Sequence, residues 1–266
     1  MSRVELLPAQ RHALILGALK NVSAASVQDL AERLGASIST VRRDLLYLTE
    51  QGYVDRTHGG AVIRRRPMAR FEPEATLAAE MAKRQKEEIA ALGASRIEAN
   101  QSVIFDASST VYAAARRLAE AQITFTAVTN DLRIAALLSS AKSISTVVTG
   151  GTTRSGTMTL TGEPGHAFLR GIHVDVALIG VHTISGGSFT ETSLEVAAMK
   201  RLMIASASRV IVLADSSKFG PPSFCEICGI GEVEEVITDA DATTEQIETI
   251  RDFGTRCTVA TRLPDA

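Results

Sequence analysis

The feature that most limits this chain is an alternation that begins at Gln101. Short, near-continuous apolar runs recur at 102–105, 123–128, 145–148, 174–179, 209–213 and 235–237, with a weaker seventh at 257–260. Between most of them lie stretches of helical period, for example 110–121, 132–138, 195–207 and 245–253. A strand that is apolar on both faces has to be covered on both faces, and an intervening helix is what a parallel connection needs. The pattern predicts an α/β domain with a mostly parallel sheet.

In such sheets ligands lie at the carboxyl ends of the strands, so the residues just after each run are the candidate site. Asp106, Ala107, Ser108, Ser109 and Thr110 follow the first run and open a helix, where hydroxyls and free amides favour an anion. Thr129, Asn130 and Asp131 follow the second, and Thr149, Gly150, Gly151 and Thr152 the third, the glycines allowing close backbone approach. Ala214 to Gly220, including Lys218, follow the fifth. Four such clusters on one sheet edge predict a pocket for a small, polar, anionic ligand. Read conservatively, the same hydroxyls cap helices, Gly150-Gly151 is a turn and Lys218 is solvated. Neither a dinucleotide G-x-G-x-x-G nor a Walker-type loop occurs, so no cofactor is expected.

The first sixty-six residues read as three short helices, 8–19, 27–34 and one from Ser37 to about Gln51. The first has Leu14, Ile15, Ala18 and Leu19 on one side. Ser26 is placed to cap the second, and Gly35 to stop it. Ile38, Val41, Leu45 and Leu48 give the third helix an apolar stripe. Ser39, Thr40, Arg42 and Arg43 fall on its outer side, where they can meet guanine edges and phosphates. Two β-prone pieces around Gly59-Gly60 then make a hairpin, the wing, carrying Arg56 and His58 towards phosphates or a minor groove. Arg64, Arg65 and Arg66 add salt-sensitive contacts. A three-helix protein-interaction module with a solvated arginine face is the alternative reading of this segment.

Charge distribution favours nucleic acid. The chain as a whole carries a formal charge of -2, but residues 1–66 hold 10 Lys and Arg against 6 acids, and the remainder holds 18 against 24. A basic head on an acidic body is the asymmetry of a polyanion binder. Three cysteines make no disulfide framework, the first residues do not read as a signal peptide, and no apolar run approaches the roughly 18–20 residues of a membrane helix. The expected setting is cytoplasmic, on the nucleoid. Pro67 to Pro73 read as a joint, and 75–98 as one long connecting helix rich in Ala, Glu, Lys and Arg. The expected organisation is 1–66 as the DNA-binding domain, 67–98 as linker and connecting helix, and 99–266 as the sensing domain.

The run Ser39-Thr40-Val41-Arg42-Arg43-Asp44-Leu45, followed by Gly52-Tyr53-Val54 and by Arg56-Thr57-His58-Gly59-Gly60-Ala61, closely resembles the head of the DeoR family of bacterial regulators. The resemblance continues through Phe105 to Thr110, Thr129-Asn130, Gly150-Gly151, Asp175 to Gly180, Glu195 with Lys200, and Leu213 to Gly220, covering nearly the whole chain. It implies a winged helix-turn-helix head and a sensor similar in fold to ribose-5-phosphate isomerase that takes phosphorylated sugars or related metabolites. By that resemblance Ser108, Ser109 and Thr110 hold the phosphate. Asp106, Asn130, Glu195 and Lys218 sit on sugar hydroxyls or the network that orders them, and Lys200 is a further charge at the pocket edge. The chain departs from the family in having Ser108-Ser109 where Gly-Thr is common, and Val181-His182-Thr183 after Gly180, which makes His182 a candidate contact.

Two other functional classes fit parts of the sequence. A sugar-phosphate isomerase of this fold carries an acidic run after the fourth strand, where this chain has Gly180-Val181-His182-Thr183-Ile184 without a carboxylate. A metal- or thiol-responsive regulator would use Cys225 and Cys228, which are half of a zinc site. The expected function is a DNA-binding regulator, in the repressing mode and not an enzyme, whose partners are double-stranded operator DNA, a phosphorylated effector and further copies of itself, with no membrane. If Arg43 reads a base, Arg43→Ala lowers operator binding by about 1–3 kcal/mol and leaves binding to random duplex nearly unchanged. Gel-shift titrations on both duplexes check this, and equal losses on both would make Arg43 a phosphate contact.

Overall fold

A computed structural model describes residues 6–22, 24–64 and 72–263. Arg65, Arg66 and most of the expected joint lie outside the described residues. The chain divides into two units, 1–83 and 84–266.

In the first unit α1 (Pro8–Val22), α2 (Val27–Leu34) and α3 (Ile38–Glu50) surround a core of Ile15, Leu16, Leu19, Leu30, Val41, Leu45 and Leu48. Their ends follow local chemistry. Ser26 accepts from the Asp29 amide while Asp29 reaches back to the Ser26 amide, closing a capping box, and Gly35 at φ 61° ends α2. Ser37 caps α3 through the Thr40 amide. Two expected core positions are not buried. Leu14 and Ile38 are exposed, because the core side of α1 runs through Leu16 instead, and Ile38 is the first residue of α3, beyond the reach of the other helices.

The wing is β2 (Val54–Thr57) and β3 (Gly60–Ile63), joined by His58 and Gly59, with Gly59 at φ +89°. A short strand before α2, β1 (Ala24–Ser26), pairs antiparallel with β3. A strand of three residues is too short to carry a periodic signal. The pairing brings Ala25 so close that a Cβ on Gly60 would lie 2.2 Å from its carbonyl oxygen. The expected long helix of 75–98 is two helices, α4 (Ala75–Glu80) and α5 (Lys83–Ala94), parted at Ala82, whose φ of 50° no α-helix contains. Leu77 of α4 is buried in the core of the first unit, and Ile89 and Ala90 of α5 in that of the second.

The second unit is built on seven parallel strands, β4 (Ser102–Phe105), β5 (Phe125–Thr129), β6 (Ile144–Val148), β9 (Val174–Gly180), β12 (Ala207–Leu213), β14 (Glu235–Thr238) and β15 (Arg256–Val259). Their order is β15-β14-β12-β9-β4-β5-β6. Alternate residues feed opposite cores. Val103, Phe105, Val176, Leu178, Ile211 and Leu213 pack with α5, α6 (Ser109–Glu120) and α7 (Leu132–Ser139). Ile104, Ala177, Ile179, Val210 and Val212 pack on the other side with α9 (Leu194–Ala205) and α10 (Thr244–Arg251). The expected parallel sheet is present with its seven strands. The sequence did not reveal two smaller additions. One is the hairpin β7 (Thr152–Thr153) and β8 (Leu160–Thr161), followed by α8 (Gly165–Arg170). The other is an antiparallel sheet of β10 (Thr183–Ser185), β11 (Ser188–Glu191) and β13 (Cys225–Gly229). No helix among the described residues is long and apolar enough to cross a membrane.

The close approach at Gly60 has a direct consequence. Gly60→Ala forces β1 and β3 apart and destabilises the first unit by about 1–3 kcal/mol, as overpacking does. Thermal melts of the two proteins measure it, and an unchanged Tm would contradict the pairing of β1 with β3.

Candidate functional site

Two places gather the residues singled out in the sequence. In the first unit, Ser39, Arg42 and Arg43 are exposed on α3 and Thr40 is half-buried. Ser37 Oγ lies 2.8 Å from both Ser39 Oγ and Thr40 Oγ1, so one hydrogen bond of each hydroxyl is used inside the turn. Arg56 on β2 and His58 at the wing tip are exposed. Arg64 is turned back onto Asp55, with Nη2 2.8 Å from Oδ1.

Asp44, on the opposite side of α3, is 5% exposed. Its carboxylate accepts from Arg11 Nε at 2.8 Å and Nη2 at 3.0 Å, and lies 3.0 Å from His12 Nε2. Burial pushes its carboxyl up, but the bonds to His12 and Arg11 outweigh burial and hold it below its ordinary value. The buried carboxylate fixes the side of α3 that faces α1, and so the side on which Arg42 and Arg43 stand.

In the second unit the chain leaves β4 towards β5 and β6 on one side, and continues through β9, β12, β14 and β15 on the other. The order reverses between β4 and β9, which is where a crevice opens in open α/β sheets. Asp106 follows β4 and is 1% exposed. Its Oδ2 accepts from the Gly180 amide at 3.0 Å and from Lys200 Nζ at 2.5 Å. Lys200 Nζ also donates to the Gly180 carbonyl at 2.7 Å and lies 3.6 Å from Glu191. Expected at a pocket edge, Lys200 is instead buried, because its position on α9 faces the sheet. Burial pushes the Asp106 carboxyl up, against the pull of Lys200. Burial likewise opposes charge on Lys200, but the carboxylates of Asp106 and Glu191 outweigh it and raise its pKa.

Glu191, at the end of β11, was not singled out from the sequence. The signal available was an acid among Thr190, Thr192 and Ser193 just before a helix. Glu195 is exposed on the first turn of α9. Five residues separate it from Lys200, about 140° around the helix, so the two cannot share a face.

Ser108 caps α6, accepting from the amides of Thr110 and Val111, and Ser109 and Thr110 form its first turn. A Cβ at Gly180 would fall 2.3 Å from Ser108 Oγ, so the glycine lets the α6 turn close on β9. Thr129 is fully buried and donates to the Phe105 carbonyl, and Asn130 bridges the Ala107 amide and the Leu160 carbonyl. Gly150 and Gly151 follow β6 at φ 77° and 122°, with Gly151 pressed against Thr161 of β8. His182 is half-buried just beyond Gly180. Lys218 is half-buried in the turn after β12, next to Phe219, which bridges to Ile184 of β10.

The strand ends therefore line up as Lys218, Gly180 with His182, Asp106 with Ser109, Asn130, and Gly150. Five parallel strands span roughly 19 Å, four gaps of about 4.8 Å each. A single small ligand at the centre of this row meets the β9, β4 and β5 ends, and reaches the outer two only through their loops. A depression at the amino end of the sheet, lined by Asn100, Thr124, Lys142 and Ser143, gathers only one charged group.

Burial and then the nearby Glu232 and Glu226 charges push the Cys228 thiol up to about 12, and Cys225 Sγ donates to the Glu191 carbonyl. A thiol held so far from its ionised form is a poor metal ligand or redox sensor. Among the described residues no group of three or more His, Cys, Asp and Glu is arranged to hold a metal ion.

Comparison with known proteins agrees with both halves. A DeoR-like helix-turn-helix domain is matched over residues 11–66 and the DeoR C terminal sensor domain over 81–240. The HTH-type transcriptional regulator GlpR of Haloferax volcanii is 31% identical over 252 residues, 94% of this chain and 96% of that protein. The HTH-type transcriptional repressor GlcR of Bacillus subtilis is 34% identical over 86% of this chain and 88% of its own length. Similar solved structures include ribose 5-phosphate isomerase A of Methanocaldococcus jannaschii, at a TM-score of 0.38 and 16% identity over 51% of this chain and 53% of that one. With a DNA-binding head and a sensor domain matched in sequence over most of its length, the chain belongs to the DeoR family of transcriptional regulators.

Proposed function

We propose that this regulator represses transcription by holding an operator with paired heads, and that a small phosphorylated sugar or related metabolite, bound at the β4–β9 crevice, releases it. The observation that supports the crevice most is the junction of the α6 N-terminus with the buried Asp106–Lys200 pair. With the Thr110 and Val111 amides held by Ser108, the first turn of α6 supplies the Ser109 amide and hydroxyl to a phosphate, and the helix dipole favours negative charge. The buried Asp106 carboxylate beside it, with Oδ2 committed to Lys200 and Gly180, orders the network under the ligand. A phosphate donor turn next to such a polar network suits a sugar or polyol phosphate.

In this reading Ser108 shapes the phosphate turn through its cap, and Thr129 and Asn130 order the loop beneath the ligand. His182, Lys218, Gly150 and Gly151 border the site from their loops. Glu195, exposed on the first turn of α9, meets the sugar hydroxyls or the network around them. Arg43, Ser39 and Thr40 read bases, while Arg42, Arg56 and His58 hold phosphates. The chain pairs as an oligomer because one small head covers little DNA, and it works on DNA in the cytoplasm. It is a regulator and not an isomerase in this reading, since the buried acids at these strand ends are engaged: Asp106 and Glu191 with Lys200, Asp131 with Arg133 and Asp215 with Ser217.

A thermal-shift screen of phosphorylated sugars and polyols, each beside its unphosphorylated counterpart, tests the proposal. Binding raises the apparent stability by about 2.7 kcal/mol at a hundred times Kd. The expected result is a shift confined to phosphorylated compounds that disappears in Ser109→Asp, where a carboxylate replaces the donor. Lys218→Ala weakens the shift and leaves DNA binding intact. A shift that survives Ser109→Asp would move the phosphate site away from α6.

A further inference from the structure

Leu46 of α3 is 46% exposed, although Leu45 before it is fully buried. Around the helix, at about 100° per residue from the buried Val41, Arg42 stands at about 100°, Leu46 at about 140°, Ser39 at about 160° and Arg43 at about 200°. All four are exposed, so an aliphatic side chain occupies the middle of the face that carries the two arginines. Leu46 lies at i+3 from Arg43 and i+4 from Arg42, which makes it the neighbour of both on the helix surface. Glu50, one turn further on, is exposed as well, and its carboxylate ends the part of the face that suits a phosphate backbone. Ile38, the other exposed large aliphatic residue of α3, stands at the flank, about 60° from Val41.

The charge beside Leu46 indicates what covers it. Arg11 and Arg64 of this unit are paired with Asp44 and Asp55, whereas among the described residues Arg42 and Arg43 meet no carboxylate. A surface with two unmet guanidinium groups fits a polyanion. Most of a duplex is a poor partner for leucine. Phosphates are charged, and the base edges in the major groove are donors and acceptors, with one apolar exception, the C5-methyl group of thymine. Against any other base edge a leucine displaces water from a polar group and replaces none of its hydrogen bonds. Against a thymine methyl it removes apolar surface from water on both sides.

We propose that Leu46 is a specificity-determining residue that packs on the C5-methyl group of a thymine in each operator half-site, beside the base met by Arg43. This rests on α3 being the DNA-facing helix, so the test carries a variant that examines that reading separately.

The full-length protein first selects a duplex from a random-sequence pool. Each thymine of that duplex is then replaced in turn by deoxyuridine, which removes the C5-methyl group and nothing else. Wild type, Leu46→Ala, Ile38→Ala and Arg43→Ala are titrated on the whole set. At one thymine of a half-site the replacement is expected to lower wild-type affinity about fourfold, the worth of one buried methyl group. The same replacement leaves Leu46→Ala unaffected, because its contact is already gone. Ile38→Ala, shortened at the flank, keeps the fourfold loss at that thymine. A wild type indifferent to every replacement, or a Leu46→Ala protein that responds as wild type does, would overturn the proposal. Arg43→Ala separates the two readings. If it loses selected binding while no thymine matters, the leucine contact fails alone. If neither Arg43→Ala nor Leu46→Ala changes selected binding, α3 is not the reading helix.

The competing occupant for an exposed leucine is a second copy of the chain, and sedimentation without DNA examines it. Wild type and Leu46→Ala are expected to form the same oligomer with the same Tm. A smaller oligomer for Leu46→Ala, with its response to deoxyuridine unchanged from wild type, would make Leu46 a contact between copies and overturn its role on DNA.

Discussion

An ammonium group shut away from water has to be met by opposite charge and by hydrogen-bond acceptors, and Lys200 is such a group. Asp106, the Gly180 carbonyl and Glu191 meet it, and they come from the ends of β4, β9 and β11. Breaking a buried pair by removing one partner typically costs about 3–5 kcal/mol, because the charge left behind is not solvated. These strand ends and α9 are therefore held in one arrangement. β4 and β9 flank the reversal of strand order, so the same ion pair stands at the place proposed for the effector, and Gly180 lets Ser108 of the α6 cap approach β9.

The rule repeats in the first unit with the signs exchanged. There the buried charge is a carboxylate, Asp44, and its partners, Arg11 and His12, lie on α1. In both units a charge inside the fold settles which residues remain outside it. Asp44 turns Arg42 and Arg43 outward, and Lys200 holds Asp106 and Gly180 at the ends of β4 and β9. In both units, removing one partner costs more than the pair adds to net stability, because it leaves a buried charge unmet.

Much of the architecture was legible in the sequence because its signals are local. The seven parallel strands announced themselves as apolar runs, and the caps Ser26, Gly35 and Ser37 as residues whose chemistry suits helix ends. The misses have physical reasons too. β1 is three residues long and exists only because β3 offers it a partner, and Gly60 was read as a turn glycine when its tighter constraint is the Ala25 carbonyl. The supposed long helix of 75–98 has strong helix formers throughout, yet it breaks at Ala82 because its two ends bury in different cores. Leu77 and Ile89 pull in ways that no propensity records.

At the candidate site the division is the same. The sequence by itself determined which residue types stand at the strand ends, since strand period and helix caps place Asp106, Ser108, Ser109, Asn130 and Lys218 on one edge, and it determined the basic face of α3. Tertiary structure alone decided how they are used. It buried Lys200 and left Glu195 exposed, brought in Glu191, spent Thr129 and Asn130 on backbone partners, and stacked Tyr47 of α3 on His12 of α1. Local chemistry fixes where a side chain sits along the chain, but which charges meet, and which of them lose their water, depends on segments far apart in sequence packing against one another.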